Sequence, residues 1–344
     1  MIPERHEFAS DNVAPICPEA WAELLEANVH SVPSYGEDRW TARLCNQVRE
    51  IFETDCDVYF VFTGTAANAL SLAHLCKSFQ SVISHRHSHM QTDECGACEF
   101  FTGGSKLFLV GGADGKIDIT QVEALLARQN DVHSHKTGAI SITQATEFGT
   151  VYRCDEIAAI AQLARKYQLF LHMDGARFAN AIASLNCAPK AITWKAGVDV
   201  LCFGGTKNGA AIGELLIFFD KKKAREFDYR AKQAGQLGSK MRFLAAPWLG
   251  LLTRDCWLRN AQHANRAASV LGCRLRKEVG IESVFPVEAN AVFVSMDERF
   301  ASGLHKRGWR FYRFIEPDVY RLMCSWSTTE EQISGFIADV LAIK

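Results

Sequence analysis

Three charged residues stand where they could act together on one small molecule. Asp174 and Arg177 come just after the apolar run 169–173. Lys207 lies in a glycine-rich turn after a second apolar run, 198–203. Runs of this length are typical of buried strands, and the carboxyl ends of parallel strands face one crevice in an α/β sheet. We therefore expect the three side chains to meet at that edge of the sheet.

A lysine and an acid at one crevice are the groups that pyridoxal 5'-phosphate (PLP) requires. The lysine amine bonds covalently to the PLP aldehyde, and the carboxylate keeps the pyridine nitrogen protonated so that the ring withdraws electrons. Each residue also has an ordinary interpretation, Lys207 as a solvated surface lysine and Asp174 as a helix N-cap. The neighbouring Gly204, Gly205 and Gly209 favour the PLP interpretation, because glycine lets the backbone approach a ligand closely.

A Thr-Gly-Thr turn earlier in the chain could bind a phosphate group. Gly64 and Thr65 separate the apolar run 57–62 from residues 66–79, whose helical pattern is apolar nearly all round. Unpaired amides and a hydroxyl at the positive end of a buried helix suit a phosphate. A strand-to-helix turn in any α/β protein can have the same residues, so this interpretation depends on the lysine and the acid described above.

A segment rich in histidine and cysteine has two interpretations. His85, His87 and His89 alternate along the chain, and Cys95 and Cys98 follow closely. Imidazole and thiolate are the usual ligands of zinc, but the second half of a structural zinc site is absent from the sequence. The competing interpretation is that one histidine packs flat on an aromatic cofactor and the other residues belong to a loop. We expect no metal site.

Two further cations lie in informative contexts. Arg321 interrupts an otherwise apolar strand pattern, and a buried arginine needs an anion such as a carboxylate. That anion could belong to a substrate or to an acid within the same domain. Lys232 and Lys240 lie in a polar segment, interrupted by glycines, that could contact a partner subunit.

Strand-like and helical patterns alternate along most of the chain. This alternation predicts an α/β fold with a mostly parallel sheet and helices on both faces. Near residue 281 the pattern changes to shorter strands and helices, which indicates a small C-terminal α/β domain. We expect residues 1–250, including the N-terminal segment, to form a large domain that binds PLP. Residues 251–344 would then supply a connecting helix and the small domain.

The composition excludes several classes of protein. With 344 residues, a net charge of −1 and 22% charged residues, the chain is neither disordered nor basic enough to attract nucleic acid or an anionic membrane. It has no apolar run of the roughly 18 residues that a membrane helix needs, and its start lacks a signal-peptide pattern. Its 12 scattered cysteines indicate buried thiols in a reducing compartment, so we expect a cytoplasmic protein.

These residues and motifs resemble those of the low-specificity bacterial L-threonine aldolases, which are PLP enzymes of fold type I. The resemblance runs from Phe-Ala-Ser-Asp at residues 8–11 to Val-Tyr-Arg-Leu at residues 319–322, in the same order and spacing. The residues that it implies for PLP binding are Lys207, Asp174, Arg177, Gly64, Thr65, His89, Thr206 and Lys232. The residues that it implies for binding the substrate carboxylate are Ser10, Arg177 and Arg321.

The resemblance also implies individual roles. His89 would stack on the PLP ring and His133 would lie near the substrate hydroxyl, so either histidine is a candidate base. Lys232 would reach the phosphate of a neighbouring subunit, which predicts a homodimer or homotetramer with shared active sites. Two motifs depart from the better-known branch of these enzymes, Thr-Lys-Asn at residues 206–208 and Gln-Ala-Thr-Glu at residues 144–147. They leave PLP chemistry intact and leave open which aldehyde is preferred.

The expected activity is that of an aldehyde-lyase. The resemblance implies reversible cleavage of L-threonine, L-allo-threonine and related L-β-hydroxy-α-amino acids to glycine and an aldehyde. The alternatives are a PLP-dependent β-eliminating lyase, an aminotransferase, and an aldolase that prefers phenylserine, because the same lysine and acid serve all of them. A zinc-binding interaction protein is the non-enzymatic alternative.

Overall fold

The secondary structure is described by a computed structural model of the chain, for residues 6–128 and 131–343. Residues 1–5, 129, 130 and 344, which the domain prediction included, lie outside the described residues. The strands in chain order are β1 (His6–Glu7), β2 (Asp57–Val61), β3 (Gln80–His85), β4 (Lys106–Val110), β5 (Lys136–Thr143), β6 (Phe170–Gly175), β7 (Val200–Phe203), β8 (Glu214–Phe218), β9 (Ala291–Ser295), β10 (Trp309–Arg310), β11 (Tyr312–Ile315) and β12 (Val319–Met323). The helices are α1 (Pro18–Ala27), α2 (Arg39–Phe52), α3 (Gly64–Leu75), α4 (His89–Thr92), α5 (Ala97–Phe101), α6 (Ile119–Ala127), α7 (Cys154–Lys166), α8 (Phe178–Leu185), α9 (Lys221–Ala224), α10 (Phe227–Gln233), α11 (Arg242–Leu252), α12 (Cys256–Arg274), α13 (Glu298–Lys306) and α14 (Glu330–Ile343).

Seven strands form the large sheet, in the order β2-β8-β7-β6-β5-β3-β4. Every neighbouring pair is parallel except those that include β8, which is antiparallel to both β2 and β7. Side chains alternate between the faces of a strand, so Ile83 and the preceding Val82 belong to two different buried clusters. Helices cover both clusters, which confirms the predicted mostly parallel sheet with helices on both faces.

The register of the central strands brings the predicted site to one edge of the sheet. Asp174 near the end of β6 pairs with Thr143 at the end of β5 and with Cys202 in β7. The turn that carries Lys207 begins three residues after the end of β7, as a 3₁₀ turn over Thr206–Asn208. Because these strands are parallel, Asp174 and Lys207 lie at the same carboxyl edge.

A smaller unit follows the large sheet. Strands β11, β12 and β9 form an antiparallel sheet in that order, and α13 and α14 pack against it around a separate apolar cluster. This unit agrees with the predicted small C-terminal α/β domain. The domain limits of 1–250 and 251–344 stay a prediction, since α12 contributes to both apolar clusters.

Within the N-terminal segment, β1 and Phe8 pack on the small unit, and the prediction that groups this segment with the large domain stays a prediction. Strand β1 pairs in parallel with β10, and the Phe8 amide donates to the Arg310 carbonyl at 2.8 Å. The Phe8 ring lies 5.6 Å from the Trp309 ring and 5.3 Å from the Phe336 ring. This pairing also divides residues 310–315 between two sheets. Local patterning cannot reveal a pairing between residues 300 positions apart.

No helix within residues 6–128 and 131–343 is both long and apolar enough to cross a lipid bilayer.

Candidate active site

A cavity of about 270 Å³ lies at the carboxyl edge of the large sheet. Six of the residues predicted for PLP binding line it: Gly64, Thr65, His89, Asp174, Thr206 and Lys207. They come from four separate parts of the chain, and the parallel strands bring them together. The predicted meeting of the acid and the lysine therefore occurs in the structure.

Asp174 is a fixed, buried acid within the cavity wall. One carboxylate oxygen accepts a hydrogen bond from the Ala176 amide at 3.0 Å, and the other accepts one from Asn68 Nδ2 at 2.9 Å. Asp174 lies inside β6, and helix α8 begins only at Phe178, with Arg177 as its cap residue. The alternative interpretation of Asp174 as a helix N-cap is therefore wrong.

The turn that carries Lys207 is shaped by close packing. A Cβ atom on Gly204 would stand 2.4 Å from the Ala176 carbonyl oxygen, and one on Gly205 would stand 2.3 Å from the Trp248 ring. Neither position has room for a larger residue. Close packing, rather than backbone flexibility, therefore explains why both residues are glycine. Lys207 itself is half-buried and lines the cavity, so it is not the solvated surface lysine of the ordinary interpretation.

A buried acid that sequence reasoning missed contacts the turn that carries Lys207. Glu214, the first residue of β8, accepts a hydrogen bond from the Gly205 amide at 2.5 Å and also lines the cavity. Burial raises the pKa of Glu214, while its hydrogen bonds with Gly205 and Thr206 and the charge of Lys207 lower it less strongly.

Glu94, a second acid that sequence reasoning missed, contacts His89, the histidine predicted to stack on the PLP ring. The Oε1 atom of Glu94 lies 2.8 Å from His89 Nδ1 and accepts a hydrogen bond from Asn68 Nδ2, also at 2.8 Å. Asn68 donates to Asp174 as well, so a continuous network joins His89 to Asp174. The hydrogen bond to Glu94 raises the pKa of His89, and burial raises the pKa of Glu94. The hydrogen bond with Glu94 occupies Nδ1, and Nε2 lies 3.5 Å from a carboxylate oxygen of the exposed Asp93.

The zinc interpretation of this segment is not supported by where its residues lie. His85 and His87 pack on the Phe148 ring at 6.1 and 5.1 Å. Cys98 is buried in an apolar cluster, and Cys95 is exposed. Within the described part of the chain, these residues do not form a group of convergent metal ligands.

The start of helix α3 has the features of an anion site. Thr63 caps the helix, and its hydroxyl accepts a hydrogen bond from the Ala66 amide at 3.1 Å. The amides of Gly64 and Thr65 belong to the first turn, where a helix has no acceptor of its own, and both residues line the cavity. The positive end of the helix therefore faces the space where a phosphate would bind.

A second cavity of about 240 Å³ adjoins the first, and Lys207 and His89 line both. Its further lining residues include Ser10, Arg177 and Arg321. It therefore contains all three residues that were predicted to bind a carboxylate.

Arg321 is a buried cation without a counterion. Its guanidinium lies 4.9 Å from the Tyr312 ring and 4.8 Å from the Phe314 ring, and its Nη2 donates to the Tyr312 hydroxyl. None of the ion pairs among the described residues includes Arg321, and its buried Nε has no hydrogen-bond partner there. Burial lowers the pKa of Arg321 to about 10. The alternative of a salt bridge within the small unit is thus not found.

Arg177 differs from its predicted role, because its guanidinium already forms an ion pair within the protein. Its Nε and Nη2 atoms donate to the two carboxylate oxygens of Asp11 at 2.7 and 2.9 Å, and Asn290 donates to the same carboxylate at 3.0 Å. Burial alone would raise the pKa of Asp11, but the charges of Arg177 and Lys207 outweigh it and lower that pKa. The paired Arg177 is therefore a weaker candidate for the substrate carboxylate than the unpaired Arg321.

Two predicted residues do not line these cavities. His133 is exposed in the loop before β5, and the eight residues of β5 span about 26 Å between that loop and the carboxyl edge. Within one subunit the prediction that His133 lies near the substrate hydroxyl is therefore wrong. Lys232 is exposed near the end of α10, with its amine 4.7 Å from the centre of the Tyr35 ring. Its predicted contact with a neighbouring subunit stays a prediction.

Asp11, Asn68, Glu94 and Glu214 were all missed by sequence reasoning. A usable signal existed for Asn68, because an amide in a helix that is otherwise apolar all round needs a buried partner. No such signal existed for the three acids, whose partners lie at distant positions in the chain.

The fold and the lysine–aspartate cavity define the fold type I class of enzymes, and the aspartate aminotransferase of Thermotoga maritima shares this fold. That structure matches with a TM-score of 0.76 at 15% identity, over 98% of this chain and 91% of that one. The Leishmania major threonine aldolase matches with a TM-score of 0.92 at 26% identity, over 98% of both chains.

A family model of beta-eliminating lyases matches residues 7–299. The low specificity L-threonine aldolase of Pseudomonas sp. strain NCIMB 10558 is 51% identical over 343 residues, which cover 100% of this chain and 99% of that protein. The chain therefore belongs to the beta-eliminating lyase family, among the low-specificity L-threonine aldolases. Membership of this family implies dependence on PLP.

Proposed function

We propose that the protein is an aldehyde-lyase that cleaves L-threonine, L-allo-threonine and related L-β-hydroxy-α-amino acids reversibly to glycine and an aldehyde. The observation that carries the proposal is the unpaired, buried Arg321 in a cavity that Lys207 also lines. A buried cation without a counterion is unfavourable, so the site favours a ligand with a carboxylate.

The residues of the first cavity fit PLP. Lys207 would hold its aldehyde carbon, Asp174 its pyridine nitrogen, and Gly64 with Thr65 its phosphate, while Thr206 adds a contact beside Lys207. When bound, PLP would supply an electron-withdrawing ring that accepts electrons from the bond broken at the substrate Cα. The hydrogen bonds from Asn68 and Ala176 hold the Asp174 carboxylate in one orientation.

Arg321 and Ser10 would orient the substrate. The planar guanidinium can bind a carboxylate through two parallel hydrogen bonds, and the rings of Tyr312 and Phe314 restrict its position. A carboxylate fixed there would set the orientation of the bonds at the substrate Cα and so select which of them breaks. Cleavage to glycine requires that this be the Cα–Cβ bond.

His89 is the proposed base for the β-hydroxyl proton. Its Nδ1 is engaged by Glu94, so Nε2 is the nitrogen that can accept a proton. His89 lines both cavities, so it stands between the proposed cofactor and substrate positions. A histidine suits this role because its pKa lies near neutral pH.

Lys232 would complete the phosphate site of a neighbouring subunit, in a homodimer or homotetramer with shared active sites. Lys232 is exposed and lines neither cavity of its own subunit, which supports this arrangement. A cytoplasmic location is supported by the 12 cysteines, all of which are free thiols.

Two measurements test this function. Purified protein mixed with PLP should show a visible absorbance band, and it should release aldehyde and glycine from L-threonine, L-allo-threonine and β-phenylserine. Ammonia and a keto acid as the products would identify a β-eliminating lyase instead. Release only from phenylserine would identify the narrower aldolase, for which Tyr312 and Phe314 in the substrate cavity offer aromatic contacts.

A further inference from the structure

Two buried cysteines and an acid converge behind the turn that carries Lys207. The Sγ atoms of Cys17 and Cys256 and a carboxylate oxygen of Glu19 all lie within 4.8 Å of one another. This is the only group of three or more convergent histidine, cysteine or acidic ligands within residues 6–128 and 131–343. We propose that Cys17, Glu19 and Cys256 form a binding site for a zinc-class divalent cation, separate from the cofactor cavity.

The donors suit that class of ion. Zinc binds thiolates at about 2.3 Å and carboxylates at about 2.0–2.2 Å in tetrahedral geometry, which places two bound sulfurs roughly 3.8 Å apart. The three donor atoms lie within 4.8 Å of one another, so they need to move only slightly closer to reach this spacing. Water would complete the coordination, since Glu19 is half-exposed while both thiols are buried. On binding, each thiol releases one proton to solvent and no electron is transferred.

The two cysteines also stand at helix starts, and the hydrogen bond between them lowers the pKa of Cys17 while it raises that of Cys256. Cys17 is the cap residue before α1, and Cys256 is the first residue of α12. The positive ends of both helices stabilise negative charge on the sulfurs.

One neighbouring group competes for the site. Arg259 donates to Glu19 at 2.9 Å, and both side chains are partly exposed. A cation at the site must displace this contact, which is a weak one because exposed ion pairs contribute only about 0–1 kcal/mol. Removing Arg259 should therefore strengthen metal binding.

The site is connected to the catalytic turn. The Cys17 amide donates to the Gly209 carbonyl at 2.9 Å. Asn260 hydrogen-bonds the Cys17 sulfur and donates to the Asn208 carbonyl at 2.9 Å. A cation that draws Cys17 and Cys256 together would thus act on residues next to Lys207, and we expect it to slow turnover.

The experiment measures zinc bound to the reduced PLP-loaded protein by equilibrium dialysis against ZnCl₂. About one zinc per chain should bind to the wild type and none to Cys256→Ala. Glu19→Gln should weaken binding by about tenfold or more, as loss of even an outer partner of a metal ligand does, and Arg259→Gln should tighten it. The matched control is Cys187→Ala, because Cys187 pairs with Cys154 but has no third ligand within the described residues. It should bind as the wild type does.

The proposal is overturned if the wild type binds no zinc, if a folded Cys256→Ala variant still binds it, or if Cys187→Ala loses it. If Cys256→Ala does not fold, the surface variants Glu19→Gln and Arg259→Gln decide, and equal affinities in both would also overturn it. Zinc should slow aldehyde release by the wild type more than by Glu19→Gln at equal free zinc. Equal slowing would overturn the connection to Lys207.

Discussion

The Oε1 atom of Glu94 lies 2.8 Å from His89 Nδ1, within hydrogen-bond distance. The acid is buried, and through Asn68 it is also joined to Asp174. The group proposed to accept a proton and the group proposed to hold the pyridine nitrogen therefore share one hydrogen-bond network. The following predictions test this network and the residues around it.

Glu94→Gln should lower the rate and shift its pH dependence. Glu94 raises the pKa of His89, so the neutral base form appears only at higher pH. Removing the charge should move the acidic limb of kcat/KM to lower pH and reduce kcat by about tenfold or more, within the range for a general base. The control is Glu26→Gln, at an exposed acid that lines neither cavity, and it should leave the pH profile unchanged. An unchanged pH profile in Glu94→Gln would contradict the role of His89 as the base.

Lys207→Ala should abolish both the visible absorbance band with PLP and the release of aldehyde. The amine is the only group in the cavity wall proposed to bond covalently to the coenzyme. Lys195→Ala, at an exposed lysine, serves as the control and should leave both unchanged. A variant without Lys207 that keeps the band and turns over would refute the assignment.

Asp174→Asn should weaken PLP binding and reduce kcat by a factor on the order of 10² or more, as removal of a group that stabilises developing charge does. The amide keeps the shape of the side chain but cannot keep the pyridine nitrogen protonated. Titration with PLP and steady-state kinetics measure the two effects. Wild-type kinetics in this variant would exclude the electron-withdrawing role that we assign to Asp174.

Arg321→Met should have opposite effects on binding and on stability. Loss of the charge removes the partner of the substrate carboxylate, so KM for L-threonine should rise at least tenfold. The same change removes a buried cation without a counterion, so the free protein should be as stable or more stable, by up to about 4 kcal/mol. Thermal unfolding without substrate and steady-state kinetics separate the effects. A marked loss of stability would instead indicate a structural ion pair.

His172 should make the protein less stable in acid. It is buried between the Ser141 hydroxyl at 2.8 Å and the Cys202 sulfur at 3.2 Å, and burial lowers its pKa to about 4. The His172 side chain binds a proton below about pH 6.5 in the unfolded chain but only below about pH 4 in the folded protein. The free energy of unfolding therefore falls as the pH decreases from about 6.5 to about 4. Between pH 7 and pH 5 this amounts to about 2 kcal/mol.

Urea unfolding at the two pH values measures this effect. His172→Asn should lose most of the difference between pH 7 and pH 5, whereas His133→Asn, at an exposed histidine, should retain it. An equal pH dependence in the wild type and in His172→Asn would show that other groups titrate in this range.

The sequence by itself determined the strands and the residues at their ends. Short apolar runs after which Asp174 and Lys207 appear define parallel strands, and parallel strands place such residues at one edge whatever the order of the strands. The positive helix start at Gly64 follows from the same local reasoning. These features depend on neighbours within a few positions, which a sequence displays directly.

Only the tertiary structure decided which charges are paired. The Asp11 carboxylate forms an ion pair with the Arg177 guanidinium, whereas Arg321 has no such partner among the described residues. The sequence alone does not tell which of the two arginines is paired. Glu94 and Glu214 became part of the site, and His133 was excluded from its own subunit's cavity, because strands and loops distant in the chain lie together or apart in space. Electrostatic partners are chosen by distance in three dimensions, and that distance cannot be read from separation along the chain.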